Sequence, residues 1–506
     1  CGIRTTLEVT LVPNAPAEER RLIIENLGER ERRLDVTTYA ELVLNSPVAD
    51  VAHPAFSKLF VETEWDEPKR ALLARRRLRA ADDEPMWAVH TLRTVGGDAD
   101  VSWETDRMRF IGRGRTVARP RALDQGAELS GTTGPVLDPM FALRRTISIA
   151  PGASAQVIAL LGAGHTRDEV LSIVSHRGAP VATPVPPRAP AMPMDAPAST
   201  DRYRAAPAPA ELLHADASEE LRFFNGVGGF SADGTEYVIR LDATPSGLAW
   251  PPMPWSNVIA NEHAGCIVTA GGAVTSWSVN SRENRLTPWF NDPVSDPFGE
   301  AIYLRDEESG EFWSPLPGPT PAPKPYESRH GFGYTSWYHA SHDLEQSTTT
   351  FFPRNDPVKI VRLRLRNSSA RARRITVTSY AHLVLGGVPW LTAPNVVTSR
   401  DGDTGAILAT NAERGEFSER VTFASLVAPA GVSDISATAD RTTFLGRTGS
   451  VADPAAMHLE GALDGRTGAG LDPCAACRGT GTSEPGADVE IAVLLGEAES
   501  EPRALA

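Results

Sequence analysis

Apolar and polar residues alternate at every second position along much of this chain. Val361 to Arg366 reads apolar, cationic, apolar, cationic, the pattern of a strand with one face in and one face wet. Ile375 to Thr378 alternates again and is β-branched, which suits a pleated, half-buried surface. The polar stretch Asn367 to Arg374 between them reads as a turn, so the spacing predicts two antiparallel strands. Leu22 to Ile24 followed by Leu34 to Thr38 has the same shape, and Val157 to Gly162 and Ile491 to Gly496 each predict a short apolar strand ending in Gly. The clearest helical period is Thr166 to His176, where Thr166 can cap, Glu169 follows three residues later, and Val170, Ile173 and Val174 form a stripe. Many strands, frequent Gly and Pro turns and few helical periods predict a mainly β chain of antiparallel sandwiches.

The pattern also repeats. Asn26 to Leu44 (NLGERERRLDVTTYAELVL) returns as Asn367 to Leu385 (NSSARARRITVTSYAHLVL), an offset of 341. Asp106-Arg107 with Phe110 to Arg113 (FIGR) returns as Asp440-Arg441 with Phe444 to Arg447 (FLGR), an offset of 334. Leu137-Asp138-Pro139 returns as Leu471-Asp472-Pro473, and Leu160 to Gly162 as Leu494 to Gly496, at the same 334. Matches in one order at nearly one offset predict two copies of one domain, each full copy roughly 280 residues. The stretch Phe223 to His342 has no counterpart in the first copy, and Gly2 maps to about His342, so the first copy is expected to lack roughly 115 residues. Arg177 to Pro209 is rich in Pro and Ala, the composition of an extended linker. The expected organisation is a truncated copy over 1–177, a linker over 178–218 and a complete copy over 219–506. Unpaired strand edges promote association, so the first half alone is expected to aggregate or stay molten.

Composition narrows the function classes. A hydrophobic share of 41% in 506 residues supplies ample core for a globular protein. The net charge of -14 argues against a nucleic-acid partner, which needs a basic face; it suits neutral ligands and solubility. The absence of a run of about 18 apolar residues gives no expectation of direct membrane insertion. The chain opens on Cys1 with no initiating Met and no signal peptide, which fits a segment of a longer polypeptide. Four cysteines are too few for a disulfide scaffold. Cys474 and Cys477 form a C-x-x-C; without a second pair or nearby His ligands, two small buried residues near a strand is the preferred reading over a redox pair or half a zinc site.

Trp, Asn, Asp and Arg concentrate in Pro/Gly-rich loops of the second copy: Phe223 to Phe230, Pro254-Trp255-Ser256-Asn257, Asn280 to Trp289, Asn291 to Asp296, and Trp313-Ser314-Pro315. An indole can lie on the C–H face of a pyranose while Asn, Asp and Arg bond to ring hydroxyls. The same residues also suit docking against another domain, with the tryptophans as anchors, and both readings stand. Asn225 to Gly229 lacks the Gly-Lys-Ser/Thr of a phosphate loop and reads as a turn. His339 and His342 have no third ligand in view and read as structural or surface residues, so no metal site is expected. Asp292 and Asp296 are candidates for a glycosidase carboxylate pair, yet in a proline-bounded loop carboxylates more often cap turns.

FFNGVGGFSADGTEYVI, PPMPWSNVIAN, WSVNSRENRLTPWFNDPVSDPFGEAIYLRDEESGEFWSP and GAGLDPCAA closely resemble the carboxy-terminal region of cyclic β-1,2-glucan synthases, which is similar to the phosphorylases of glycoside hydrolase family 94, also classed as glycosyltransferase family 36. The resemblance implies a mainly β fold of two tandem antiparallel β-supersandwich domains, the first truncated, ahead of an (α/α)6 barrel that holds the catalytic aspartate. Only Glu497 to Ala506 follow the last matched strand, so no catalytic residue is carried over and no turnover is expected of this chain alone. The substrate-binding rim implied by the resemblance comprises Arg282, Asn284, Arg285, Trp289, Asn291, Asp292, Asp296 and Trp313. The implied partners are a β-glucan oligosaccharide, the helical barrel of the parent chain and a homodimer mate. The parent would be a bacterial inner-membrane glycosyltransferase, this segment soluble on its cytoplasmic side. Inorganic phosphate is the implied co-substrate of the parent, and no cofactor is expected. A stand-alone family 94 phosphorylase and a non-catalytic carbohydrate-binding protein are the alternatives.

Overall fold

The computed structural model describes residues 2–78, 83–95, 100–175, 219–429 and 432–505; the predicted linker over 178–218 lies outside them. The chain divides into two compact units, Cys1–Ala198 with Asn291–Ser295, and Ser199–Phe290 with Asp296–Ala506. Among the described residues the structure is mainly β, in antiparallel sheets, and the longest helix is Arg167–Ser175 with nine residues. That helix is the one the sequence predicts: Thr166 Oγ1 accepts from the Glu169 amide at 3.1 Å, and Val170 and Ile173 are buried.

The first unit has a six-stranded sheet whose spatial order is Ile3–Leu11, Ala17–Asn26, Ser154–Gly164, Trp87–Thr94, Ala71–Arg76, Val61–Asp66. The ten-stranded sheet of the second unit contains the same run: Leu344–Phe351, Val358–Asn367, Asp488–Ala498, Val421–Val427, Ile407–Asn411, Val396–Arg400. Strand for strand, these are the positions that the sequence offsets connect. The opposing layers match as well. Arg32–Thr37, Pro139–Ile149 and Val101–Asp106 pair in the first unit as Arg373–His382, Pro473–Ser483 and Val432–Asp440 do in the second. The second unit extends its large sheet by four strands, from Gly228–Phe230 to Tyr334–Ser341, and adds a separate three-stranded sheet, Ser256–Ala260, Ala264–Thr269 and Val274–Ser278.

Val358–Asn367 and Arg373–His382 are both strands, as predicted, but they do not pair with each other. The first hydrogen-bonds to Leu344–Phe351 and Asp488–Ala498, the second to Glu300–Asp306 and Pro473–Ser483, in the facing sheet. The connection is an arch between layers, held by Asn367: its Nδ2 donates to Arg371 O and to Ser483 O, each at 2.8 Å. Asn26 makes the same two bonds in the first unit, to Arg30 O at 2.7 Å and Ile149 O at 2.9 Å. A buried amide that satisfies one carbonyl of the arch and one of the facing layer explains why Asn stands at the start of each repeat.

The cores lie between the layers. In the second unit Trp337, Leu363, Leu365, Val377 and Ile491 belong to one buried cluster; in the first, Val61, Leu72, Phe141, Leu143 and Val157 do. One difference concerns the strand Ile3–Leu11, which is an edge. Leu7, Val9 and Leu11 on its inner face are 57%, 53% and 81% exposed, whereas their counterparts Thr348 and Thr350 are 0% and 1% exposed.

Candidate functional site

The sequence cluster of Trp, Asn and Arg falls largely on one loop of the second unit, Val279 to Phe290, leaving the strand Val274–Ser278. Two buried polar networks hold it, at Asn284 and at Thr287. At the first, Asn284 is fully buried: Nδ2 donates to Ser278 O at 3.0 Å and to Glu497 Oε2 at 2.7 Å, and Oδ1 accepts from Arg414 Nη1 at 3.0 Å. Glu497, also fully buried, accepts from Arg414 Nη1 at 2.6 Å and Arg420 Nε at 2.7 Å. Burying a carboxylate at that depth is costly unless hydrogen-bonded cations compensate the lost hydration. At the second, Thr287 Oγ1 accepts from the Ser276 amide at 2.8 Å and donates to Glu300 Oε1 at 2.9 Å. Lys359 completes that network by donating to Ser276 Oγ at 2.7 Å and to Glu300. Ahead of Asn284, Asn280 Oδ1 accepts from the amides of Arg282 and Glu283 at 2.9 and 3.0 Å, a turn that leaves both side chains exposed.

What remains at the surface is cationic and aromatic. Arg282 is exposed and Arg285 half-buried, its guanidinium carbon 5.3 Å from the Trp289 ring centre, a cation–π contact. Arg285 Nε donates to Ser281 O at 3.1 Å and Nη1 to Gly387 O at 3.2 Å. Burial, and then the neighbouring Arg282 charge, lower the Arg285 pKa below the usual arginine range. The bond to Gly387 brings in a neighbouring loop outside the predicted Trp, Asn and Arg cluster. There Trp390 and Leu391, on the short helix Pro389–Thr392, are 50% and 57% exposed. Large exposed apolar side chains beside arginines make a surface that can stack on a flat apolar face and donate to oxygens around it. The available signal was Pro-Trp-Leu after Gly-Gly, one more proline-bounded Trp outside the densest cluster.

Other predicted residues have different neighbours. Asn284 and Trp313 present no surface to a ligand, at 0% and 1% exposure. The Trp313 indole donates from Nε1 to Gln346 Oε1 at 3.0 Å and stacks on His342 at 3.8 Å. Asn291 and Asp292 belong to the first unit. Asp292 takes two parallel bonds from Arg107, Nη1 to Oδ1 at 2.9 Å and Nη2 to Oδ2 at 2.8 Å, and its Oδ1 accepts from the amides of Val294 and Ser295. Burial pushes its pKa up, but the Arg107 hydrogen bonds and charge outweigh that and hold it below the ordinary aspartate value. Such a carboxylate is a turn cap and an ion-pair partner, poorly suited to donating a proton. Asp296, in the second unit, is 8% exposed and accepts from Thr269 Oγ1 at 2.9 Å.

The remaining sequence candidates settle as structure. Cys474 and Cys477 are on one strand with odd spacing, so their side chains lie on opposite faces, one in each of two separate core clusters. Burial pushes the Cys477 thiol up to about 12 and Cys474 well above its usual value. His339 stacks on Tyr326 at 3.7 Å and bonds Pro325 O and Ser341 Oγ. Among the described residues no group of three or more His, Cys, Asp or Glu could hold a metal ion. Asn225 to Gly228 is a turn closed by its own backbone, Asn225 N to Gly228 O at 3.0 Å. No helix among the described residues is long and apolar enough to cross a membrane.

Known proteins share this pattern. A family described as glycosyl hydrolase 94, supersandwich domain, matches residues 1–179 and 235–506. The cyclic beta-(1,2)-glucan synthase NdvB of Rhizobium meliloti is 28% identical over 680 aligned residues that take in 98% of this chain and 24% of that protein. The solabiose phosphorylase of Paenibacillus borealis is 27% identical over 54% of this chain and 35% of its own length. The N,N'-diacetylchitobiose phosphorylase of Vibrio furnissii is 28% identical over 30% of this chain and 19% of its own. The chain thus spans about a third or less of the length of these relatives.

Proposed function

The chain belongs to the glycosyl hydrolase 94 supersandwich family, and on that premise we propose that it is the glucan-positioning segment of a cyclic β-1,2-glucan synthase. The observation that carries this reading is the match to one glucan synthase along 98% of the chain, both repeats included. In the whole enzyme a membrane-embedded part polymerises glucose, and the family 94-like region limits chain length by phosphorolysis with inorganic phosphate as co-substrate. The present segment docks on the helical catalytic barrel and lends its loops to the rim of that site.

The residues proposed for the rim are Arg282, Arg285 and Trp289, joined by Trp390. Their loop is held by buried networks at Asn284 and Thr287, so the surface is preorganised and little ordering entropy is lost on binding. The indoles supply stacking area and the guanidiniums donate to glucose hydroxyls. The chain itself supplies no proton donor to a glycosidic oxygen in this reading.

Calorimetric titration with β-1,2-linked glucose oligosaccharides tests it. Saturable binding at about millimolar ligand is expected, weakened by Arg285→Ala, Trp289→Ala and Trp390→Ala. No binding at that concentration would assign the surface to docking alone. Phosphate consumption or release with the same sugars would instead make the chain a phosphorylase in its own right; none is expected.

A further inference from the structure

The helices Arg107–Ile111 and Arg441–Leu445 hold equivalent places in the two repeats, and their surroundings agree closely. Asp106 Oδ1 caps the first, accepting from Met108 N at 2.9 Å; Asp440 Oδ1 caps the second, accepting from Thr442 N at 3.0 Å. Each closes on a glycine with left-handed backbone, Gly112 at φ 85° and Gly446 at φ 82°. Arg107 Nη1 donates to Asp138 Oδ2 at 2.9 Å, and Arg441 Nη1 to Asp472 Oδ2 at 2.8 Å. Tyr39 stacks on Phe110 at 5.1 Å, and Tyr380 on Phe444 at 5.0 Å.

The two arginines differ in what else they hold. In the first unit, Arg107 takes both oxygens of Asp292 and donates to Ser295 Oγ at 3.0 Å. Val294, fully buried, packs with Phe110 and Ile111, and its carbonyl accepts from Gly114 N at 2.8 Å. The Arg107 side chain is thereby left 7% exposed, and its Nε donates to Tyr39 Oη and to Glu41. Among the described residues, Arg441 pairs with the aspartate of its own repeat alone, at 30% exposure, and its buried Nε has no hydrogen-bond partner. His382 stands where Glu41 stands in the first repeat, so the carboxylate that competes for Arg107 Nε has no counterpart at Arg441.

We infer that the Arg441–Asp472 pair is a docking point for an acidic turn on a partner protein, an Asp followed by Pro, an apolar residue and Ser, read as Arg107 reads Asn291–Ser295. The forked guanidinium fits a carboxylate through two parallel bonds, which gives both strength and orientation. The rigid turn loses little entropy on docking, since Asp292-type capping by its own amides preorganises it. The Arg441–Asp472 pair is part-exposed, so a single further contact there is weak and salt-sensitive.

The probe is a fluorescein-labelled peptide of the sequence Trp289–Asp296, titrated into the full chain at low salt and followed by anisotropy. Saturable binding is expected, weakened about tenfold or more by Arg441→Gln in the protein and by D292N in the peptide. Arg441→Lys should retain part of the affinity, having charge without the fork. Because the Arg441 side chain is part-exposed, the melting temperature of the Gln variant should match the parent and so separate lost docking from lost folding. No saturation at several times millimolar peptide would overturn the inference, as would binding indifferent to Arg441→Gln, which would mean that the peptide displaces the native turn at Arg107.

Discussion

Asn284 and Glu497, 213 positions apart in the sequence, share a buried hydrogen bond of 2.7 Å. This one contact ties the loop that carries Arg282, Arg285 and Trp289 to the last strand of the second unit. The identical charge on Arg414 and Arg420 is balanced at the same carboxylate. Glu497→Gln should therefore leave two guanidiniums without their counter-ion and destabilise the second unit by about 3 to 5 kcal/mol. Urea unfolding measures this, and a loss under about 1 kcal/mol would show that the network is dispensable.

Asp292→Asn tests the other carboxylate. It removes the charge that Arg107 grips through two bonds, at a cost of about 2 to 3 kcal/mol for charge-assisted hydrogen bonds. Because the folded pKa lies below the unfolded one, the Asp292 contribution is complete above the ordinary aspartate pKa, and it is lost as pH falls through the folded value. The variant should lose stability at pH 7 and show a flatter acid limb below about pH 4 in urea midpoints.

Buried histidines act at higher pH. Burial lowers His90 to about 4 and His339 to about 3, from 6.5. Between those values and 6.5 the unfolded chain binds protons that the folded chain refuses, so acidification favours unfolding. His90 alone accounts for a loss on the order of 3 kcal/mol by pH 4. His90→Gln should flatten the urea midpoint between about pH 6.5 and 4; an unchanged slope would mean that His90 titrates normally.

Two tryptophans should separate fold from surface. Trp313, 1% exposed, fills the core and hydrogen-bonds Gln346, so Trp313→Ala should cost about 3 to 5 kcal/mol. Trp390, half-exposed, should change stability by no more than about 0.5 kcal/mol when cut to Ala, while weakening the proposed glucan binding. Thermal melts alongside sugar titrations of both variants make the comparison.

The repeat was legible because each matched residue has a task that only a few side chains perform. Asn26 and Asn367 tie the arch to the facing layer, Asp106 and Asp440 cap helices, and Gly112 and Gly446 adopt left-handed backbone. The Thr166 cap and the Val170 and Ile173 stripe were equally visible, since helix capping and periodicity are local. Pairing was not. Alternation in Val358–Asn367 and Arg373–His382 reports which faces are buried, and says nothing of which strand lies alongside, so a cross-layer arch looks like a hairpin. The same limit affects the candidate site. Composition marks a Trp-rich stretch without telling a core indole such as Trp313 from an exposed one such as Trp390. The Arg107–Asp292 pair joins residues 185 apart, and nothing in either local pattern announces the other.

The strand Pro473–Ser483 places Cys474 and Cys477 back to back, each thiol sealed in its own cluster and held in its protonated form. Cys266 is likewise buried, its pKa pushed up to about 12. The sheet thus stands as a physical partition between two sulfurs that sequence spacing would pair. These three side chains should be slow toward alkylating reagents and indifferent to peroxide while the fold holds. Their labelling rate becomes a built-in clock for opening of the second sandwich, readable without adding any probe to the chain.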